Sequence, residues 1–286
     1  MTIRAHQLTD SLCRHGEGPV WSDDWDGLRW VDMLDGDIMH LNPVSHAVSR
    51  RNIGDVAAAI RPRTGGGLVA AGERDFLLFS SVESGAETVL PAIPHLRLRF
   101  NDGGCDPSGA FLCGSMAYDE SPGAGSLLRL EPDGQISTVL PAVSISNGLA
   151  FGPLNDSAFY VDTSTRQIDL FDWTSESGLH ERRPFVKIDS ELGAPDGLCV
   201  DEEGGVWVAL WDGSAVHRYD ARGALDAVIA LPATRVTACT FGGVDLRELY
   251  ITTSRYGLDA GSQPKAGALF VALPGIKGIP VLPFAG

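Results

Sequence analysis

The chain repeats itself. Residues 195–211 read PDGLCVDEEGGVWVALW, 146–162 read SNGLAFGPLNDSAFYVD, 100–116 read FNDGGCDPSGAFLCGSM and 16–32 read GEGPVWSDDWDGLRWVD. Each has a polar residue with a glycine close by, a short apolar stretch, a turn rich in Asp, Gly, Pro, Ser or Asn, and a second apolar stretch. A weaker copy lies at 236–252, and a degenerate one, VAAAIRPRTGGGLVAA, at 56–71. Aligned on Trp21, Cys105, Phe151, Val200 and Phe241, the leading polar residues are Glu17, Asn101, Asn147, Asp196 and Thr237. Their spacings are 84, 46, 49 and 41 residues, and the first is two periods with the degenerate copy between. A period of roughly forty-five residues is that of a four-stranded propeller blade.

Each copy reads as an antiparallel hairpin. The turns carry residues that tolerate positive φ, as at Glu203-Gly204-Gly205, and the flanking runs are rich in Val, Leu, Trp, Tyr and Phe. Further strands follow in most copies: Ile38–Leu41, Leu127–Leu130, Ile168–Phe171, Val216–Tyr219 and Leu269–Ala272. No segment sustains a 3.6-residue apolar period, so helices are expected to be few or absent. The sequence thus predicts an all-β protein over residues 1–286: one six-bladed β-propeller domain of four-stranded antiparallel blades around a central metal-binding channel. The segment from Ile3 to Leu8 is expected to pair with the last blade and close the ring.

Equivalent positions on the innermost strands of a propeller form a ring at one depth, so Glu17, Asn101, Asn147 and Asp196 are expected to converge. Two carboxylates and two amide carbonyls are hard oxygen ligands, suited to Ca²⁺, Mg²⁺ or Mn²⁺, with Zn²⁺ through the carboxylates. Without a cation, carboxylates so close repel, and at least one must take up a proton. Asn-Gly and Asp-Gly are also common turn dipeptides, so any one of these residues alone says little; four at one register carry the inference. His15, two residues before Glu17, reads as a strand-end residue, with a supporting place beside the site as the alternative. Trp21, Trp30, Trp207 and Trp211 fall on strand patterns and read as core. The sequence has no G-x-S-x-G, H-E-x-x-H or Walker loop.

Composition narrows the partners. A formal net charge of −15 repels phosphate backbones and anionic lipid, which argues against nucleic-acid and membrane partners, and no obligate protein partner is evident. Five cysteines, an odd number with no C-x-x-C, argue against a disulfide framework or a thiolate zinc site. The N-terminal residues lack a basic segment followed by an apolar one, and no unbroken apolar run is long enough to span a bilayer. A cytoplasmic protein is expected.

The motifs G-E-G-P-V-W at 16–21, R-F-N-D-G with D-P-S-G and G-S-M at 99–116, S-N-G-L-A-F at 146–151, P-D-G-L-C-V-D at 195–201 and T-A-C-T-F-G-G at 237–243 together resemble the SMP-30/gluconolactonase/regucalcin family of six-bladed propellers. The resemblance spans nearly the whole chain. It implies one divalent cation, Ca²⁺ first and Zn²⁺, Mn²⁺ or Mg²⁺ as alternatives, held by Glu17, Asn147 and Asp196. It implies substrate contacts from Arg99 and Asn101, which moves Asn101 from the metal to the substrate. Some members bind sugar hydroxyls with a Glu where this chain has the shorter Asp119. The loop 118–125 is then expected over the channel mouth. The implied activity is hydrolysis of a sugar lactone to the aldonic acid, with the metal as Lewis acid and Asp196 as the general base for water; Asp102 is the reserve base. The alternatives are a phosphotriesterase-type hydrolase on the same site and a non-catalytic calcium-binding regulatory propeller.

Overall fold

The computed structural model describes residues 2–286. Its strands fall into four separate four-stranded sheets and one of eight strands. The first separate sheet runs Gly16–Ser22, Gly27–Asp32, Asp37–Leu41 and Val48–Asn52. The second runs Ala59–Pro62, Leu68–Ala71, Asp75–Phe79 and Thr88–Pro91. Leu98–Cys105 opens the third and Ser146–Phe151 the fourth. In each, consecutive strands pair antiparallel in chain order, as hairpins joined by tight turns must. The described helical segments are four single 3₁₀ turns, and none is long and apolar enough to cross a membrane.

The eight-stranded sheet holds two four-stranded sets. One begins with Ala194–Val200; the other begins with Val236–Gly242 and continues through Glu248–Thr253 and Phe270–Ala272. Its fourth strand comes from the start of the chain. Ala5, His6 and Gln7 pair antiparallel with Phe270–Ala272, as the sequence predicts for the N-terminal segment. Thr2, Ile3 and Arg4 pair parallel with Val228, Ile229 and Ala230 of the neighbouring set, which was not anticipated and merges the two sets into one sheet.

The innermost strands pack against one another in sequence order, and Val236–Gly242 packs against Gly16–Ser22, so the series closes. Thr237 fastens this closure: its hydroxyl donates to the Gly16 carbonyl (2.6 Å) and lies 2.9 Å from the Thr252 hydroxyl. The apolar core lies between neighbouring sets, as with Trp207 set edge-on to Phe241 across the last two. Trp30 and Trp207 are fully buried, in keeping with their core assignment.

Candidate metal centre and binding cavity

Five inner strands share one irregularity. Each pairs with the second strand of its own set in two stretches separated by a slip in register. The slips lie between Glu17 and Val20, Phe100 and Gly103, Ser146 and Leu149, Pro195 and Leu198, and Val236 and Ala238. Glu17 borders its slip, and Asn101, Asn147, Asp196 and Thr237 sit inside theirs. A bulge breaks the strict alternation of a strand and re-aims the residue it releases. The sequence repeat had therefore aligned the bulges. Ala59–Pro62 of the second set pairs without a slip, and the buried residues Ala57, Ala58 and Ala59 bring no polar group.

Buried aspartates hold the approach to two of these strands. Asp32 accepts from the Arg14 and His15 amides ahead of Glu17 (3.1 and 2.8 Å). Asp162 accepts in the same way from the Ser144 and Ile145 amides ahead of Asn147 (2.9 and 3.0 Å).

Glu17, Arg99, Asn101, Asn147 and Asp196 are all buried and line one cavity of about 550 Å³. A relay of hydrogen bonds fixes the two amides. Arg99 Nη1 donates to Asn101 Oδ1 (2.6 Å), Asn101 Nδ2 to Asn147 Oδ1 (3.0 Å), and Asn147 Nδ2 to Thr163 Oγ1 (2.7 Å). Thr163 in turn donates to the Pro195 carbonyl (2.8 Å), beside Asp196. Because Arg99 can only donate, the Asn101 oxygen must face it and its NH₂ must face Asn147. One lone pair of Asn147 Oδ1 stays available.

Asp196 Oδ1 is buried with no hydrogen-bond partner. An unpaired buried carboxylate oxygen is costly unless the group takes up a proton or binds a cation. Burial and the charges of Glu17 and Asp102 hold the Asp196 carboxyl well above the usual range. Glu17 is pushed up to about 8 by burial and by Asp102. Among the described residues, no group of three or more His, Cys, Asp or Glu side chains could hold a metal. The available set is two carboxylates and an amide oxygen, all hard donors, which fits a divalent cation that keeps some of its water.

Asp102 lies outside the cavity lining; its carboxylate accepts from the Gly103 amide (2.7 Å), and burial raises its pKa. His15 does line the cavity. Its Nδ1 is 2.7 Å from the Ser254 hydroxyl, while Nε2 is 3.9 Å from Glu17 Oε1, beyond hydrogen-bond reach. Burial, with Arg99, Arg14 and Arg235, lowers its pKa to about 3. The imidazole is therefore neutral and does not form an ion pair with Glu17.

Asp119 is not brought to this place. It is exposed and absent from the cavity wall, and its carboxylate accepts from the Ser121 hydroxyl (2.7 Å) and amide (3.2 Å). Its neighbours Tyr118 and Glu120 line the cavity, so the loop 118–125 does border the mouth. Trp211, assigned to the core from its strand pattern, is partly exposed on the cavity wall and stands edge-on to His15 at 5.7 Å; Tyr256 flanks the same histidine at 5.8 Å.

Residues 15–255 match the family model described as the SMP-30/Gluconolactonase/LRE-like region. Regucalcin from Oryctolagus cuniculus is 35% identical, with the alignment covering 100% of this chain and 99% of the relative. Regucalcin from Danio rerio is 34% identical, covering 95% of each. Among solved structures, a luciferin-regenerating enzyme is similar with a TM-score of 0.89 and 26% identity, covering 99% of both chains. A regucalcin from Agrobacterium tumefaciens, described as a calcium-binding protein, has a TM-score of 0.90 at 24% identity over 100% of this chain and 99% of that one. A gluconolactonase from Xanthomonas campestris has a TM-score of 0.75 at 21% identity, over 94% and 89%.

Proposed function

Since the chain belongs to the SMP-30/gluconolactonase/LRE-like family, we propose that it is a metal-dependent lactonase, a single six-bladed β-propeller that opens a sugar lactone to the aldonic acid. The observation that carries this reading is the buried, partnerless Asp196 Oδ1 in the same cavity as Glu17, Asn147 and the Arg99–Asn101 pair. Glu17, Asn147 and Asp196 would hold the ion, with Ca²⁺ the first choice and Zn²⁺, Mn²⁺ or Mg²⁺ as alternatives. Bound there, a divalent ion supplies Lewis acidity toward the lactone carbonyl oxygen.

The chain's own groups account for the rest. Arg99 offers planar guanidinium donors to a substrate oxygen, and the relay through Asn101 holds that guanidinium in place. Asp196, ionised and using a carboxylate oxygen left free by the ion, accepts a proton as water adds to the carbonyl carbon. The ring C–O bond then breaks, and its oxygen takes that proton back from Asp196 and leaves as a hydroxyl. Val56, Met116 and Ile145 are apolar parts of the wall, and a bound ring that displaces water against them would strengthen these interactions. A volume of about 550 Å³ suits a small sugar ring. The five free cysteines suit a reducing cytoplasm.

The decisive experiment is a pH-stat assay of chelator-treated protein over a panel of aldonolactones, with and without added Ca²⁺, Mn²⁺, Mg²⁺ and Zn²⁺. Acid release is expected only with a divalent ion, and Asp196→Asn is expected to lower kcat by about 10²-fold or more. Full activity in that variant would remove Asp196 from both its roles. A second reading, a calcium-binding propeller without turnover, draws on the description of the Agrobacterium relative. It predicts Ca²⁺ binding with no hydrolysis of any lactone.

A further inference from the structure

The carboxylates occupy one end of the ring of inner strands. Later residues of the same strands enclose a second cavity of about 290 Å³. Its wall is largely apolar, with Leu149, Phe151, Val200 and Phe241, but Arg61, Asn155 and Thr240 also line it, and residues 279–282 near the C-terminus complete it. Two thiols face each other there. Cys199 lies on Ala194–Val200 and Cys239 on the adjacent inner strand Val236–Gly242, with their sulfurs 3.7 Å apart. The backbones are already close: a Cβ at Gly197 would stand 2.5 Å from Ala238 Cβ. Cys199 is the one partly exposed cysteine of the five; Cys13, Cys105, Cys113 and Cys239 are buried.

We propose that Cys199 and Cys239 form an oxidisable pair, which a peroxide entering this cavity converts to a disulfide joining the fifth set of strands to the sixth. Closing the sulfurs to a bond of about 2.05 Å calls for side-chain rotation and a small approach of two strands already in contact. Cys199 reacts first because it is the accessible partner. Its thiolate attacks one peroxide oxygen, the O–O bond breaks, the other oxygen leaves as water with the thiol proton, and a sulfenic acid remains. Cys239 sulfur then attacks Cys199 sulfur. The S–S bond forms, the S–O bond breaks, and a second water carries away the Cys239 proton. Two electrons have passed from the two sulfurs to one peroxide. Burial, reinforced by Cys239, holds the Cys199 thiol well above its ordinary range, so the reaction is slow at neutral pH. Its rate is expected to rise about tenfold per pH unit while the thiol stays protonated.

The test treats the full-length protein with hydrogen peroxide, alkylates the remaining thiols without reduction, and maps the peptides by mass. The expected product is lighter by two hydrogens, contains a Cys199–Cys239 linked peptide, and reverts with dithiothreitol. In Cys239→Ser the reaction is expected to stop at a sulfenic acid on Cys199, trapped by dimedone; in Cys199→Ser, Cys239 stays unmodified over the same exposure. Thermal melts establish that the variants are folded, and the wild-type peptide map decides the matter if they are not. Five alkylatable thiols after treatment, a linkage through any other cysteine, or loss of two hydrogens in Cys239→Ser would overturn the assignment.

Discussion

Asn101 shows how much one side chain settles at this site. Held by Arg99 on one side and by Asn147 and the Ser146 carbonyl on the other, it fixes the orientation of the Asn147 amide and anchors the Arg99 guanidinium. The loop beside it raises a separate question. The motif resemblance points to Asp119 as a substrate contact, yet Glu120 is the acid that lines the cavity. Glu120→Ala is therefore expected to raise KM several-fold with little change in kcat, and Asp119→Ala to change KM by less than about twofold. Steady-state kinetics on both variants check this; a larger KM effect at Asp119 would mean that the loop turns when substrate binds. Glu17, Asn101, Asn147 and Asp196 were legible from the repeat because an inner strand keeps its register from one copy to the next. Tyr118, Glu120 and Tyr256 lie in loops, which follow no period, and strand alternation alone cannot tell a cavity wall from a core face, hence the misplacement of Trp211.

At the scale of elements, the bulge shared by five of the inner strands is the device that turns a sheet into a site. Glycine lets neighbouring bulges approach. A Cβ on Gly148 would stand 2.7 Å from the Leu198 amide nitrogen and 2.8 Å from the Asp196 carbonyl oxygen, so the fifth inner strand would have to move. Gly148→Ala is expected to cost about 1–3 kcal/mol of stability and to weaken cation binding by displacing Asp196. Gly65→Ala, at a position with open space around it, serves as the control and is expected to do neither. Denaturant melts and calorimetric Ca²⁺ titration measure the two effects; unchanged affinity in Gly148→Ala would show that the site tolerates strand displacement. From sequence, Asn147-Gly148 and Asp196-Gly197 read equally well as turn dipeptides, because short-range pattern does not reveal which backbone comes close from another copy.

For the whole molecule, the net charge of −15 and the burial of Glu17, Asp102 and Asp196 set the response to pH. Glu17 ordinarily titrates near 4.5 but is held near 8 in the folded chain. Between these values the unfolded chain has lost a proton that the native state keeps. The native state binds more protons there, so the stability of metal-free protein is expected to fall as pH rises through this window. A divalent cation competes with those protons and relieves the repulsion. Melting curves should therefore show a larger gain in Tm from Ca²⁺ at about pH 8 than at about pH 5, and an equal gain at both would reject the carboxylate site. The closed series of four-stranded sets and the antiparallel pairing of the N-terminal segment were readable from the period. The parallel pairing of Thr2–Arg4 with the neighbouring set was not, since nothing in a six-residue strand announces that its two halves have different partners. That strand has a consequence for biogenesis. Residues 2–7 are synthesised long before their partners at 228–230 and 270–272, so this segment stays unpaired while the intervening sets are made and takes its place only after residue 272 has emerged.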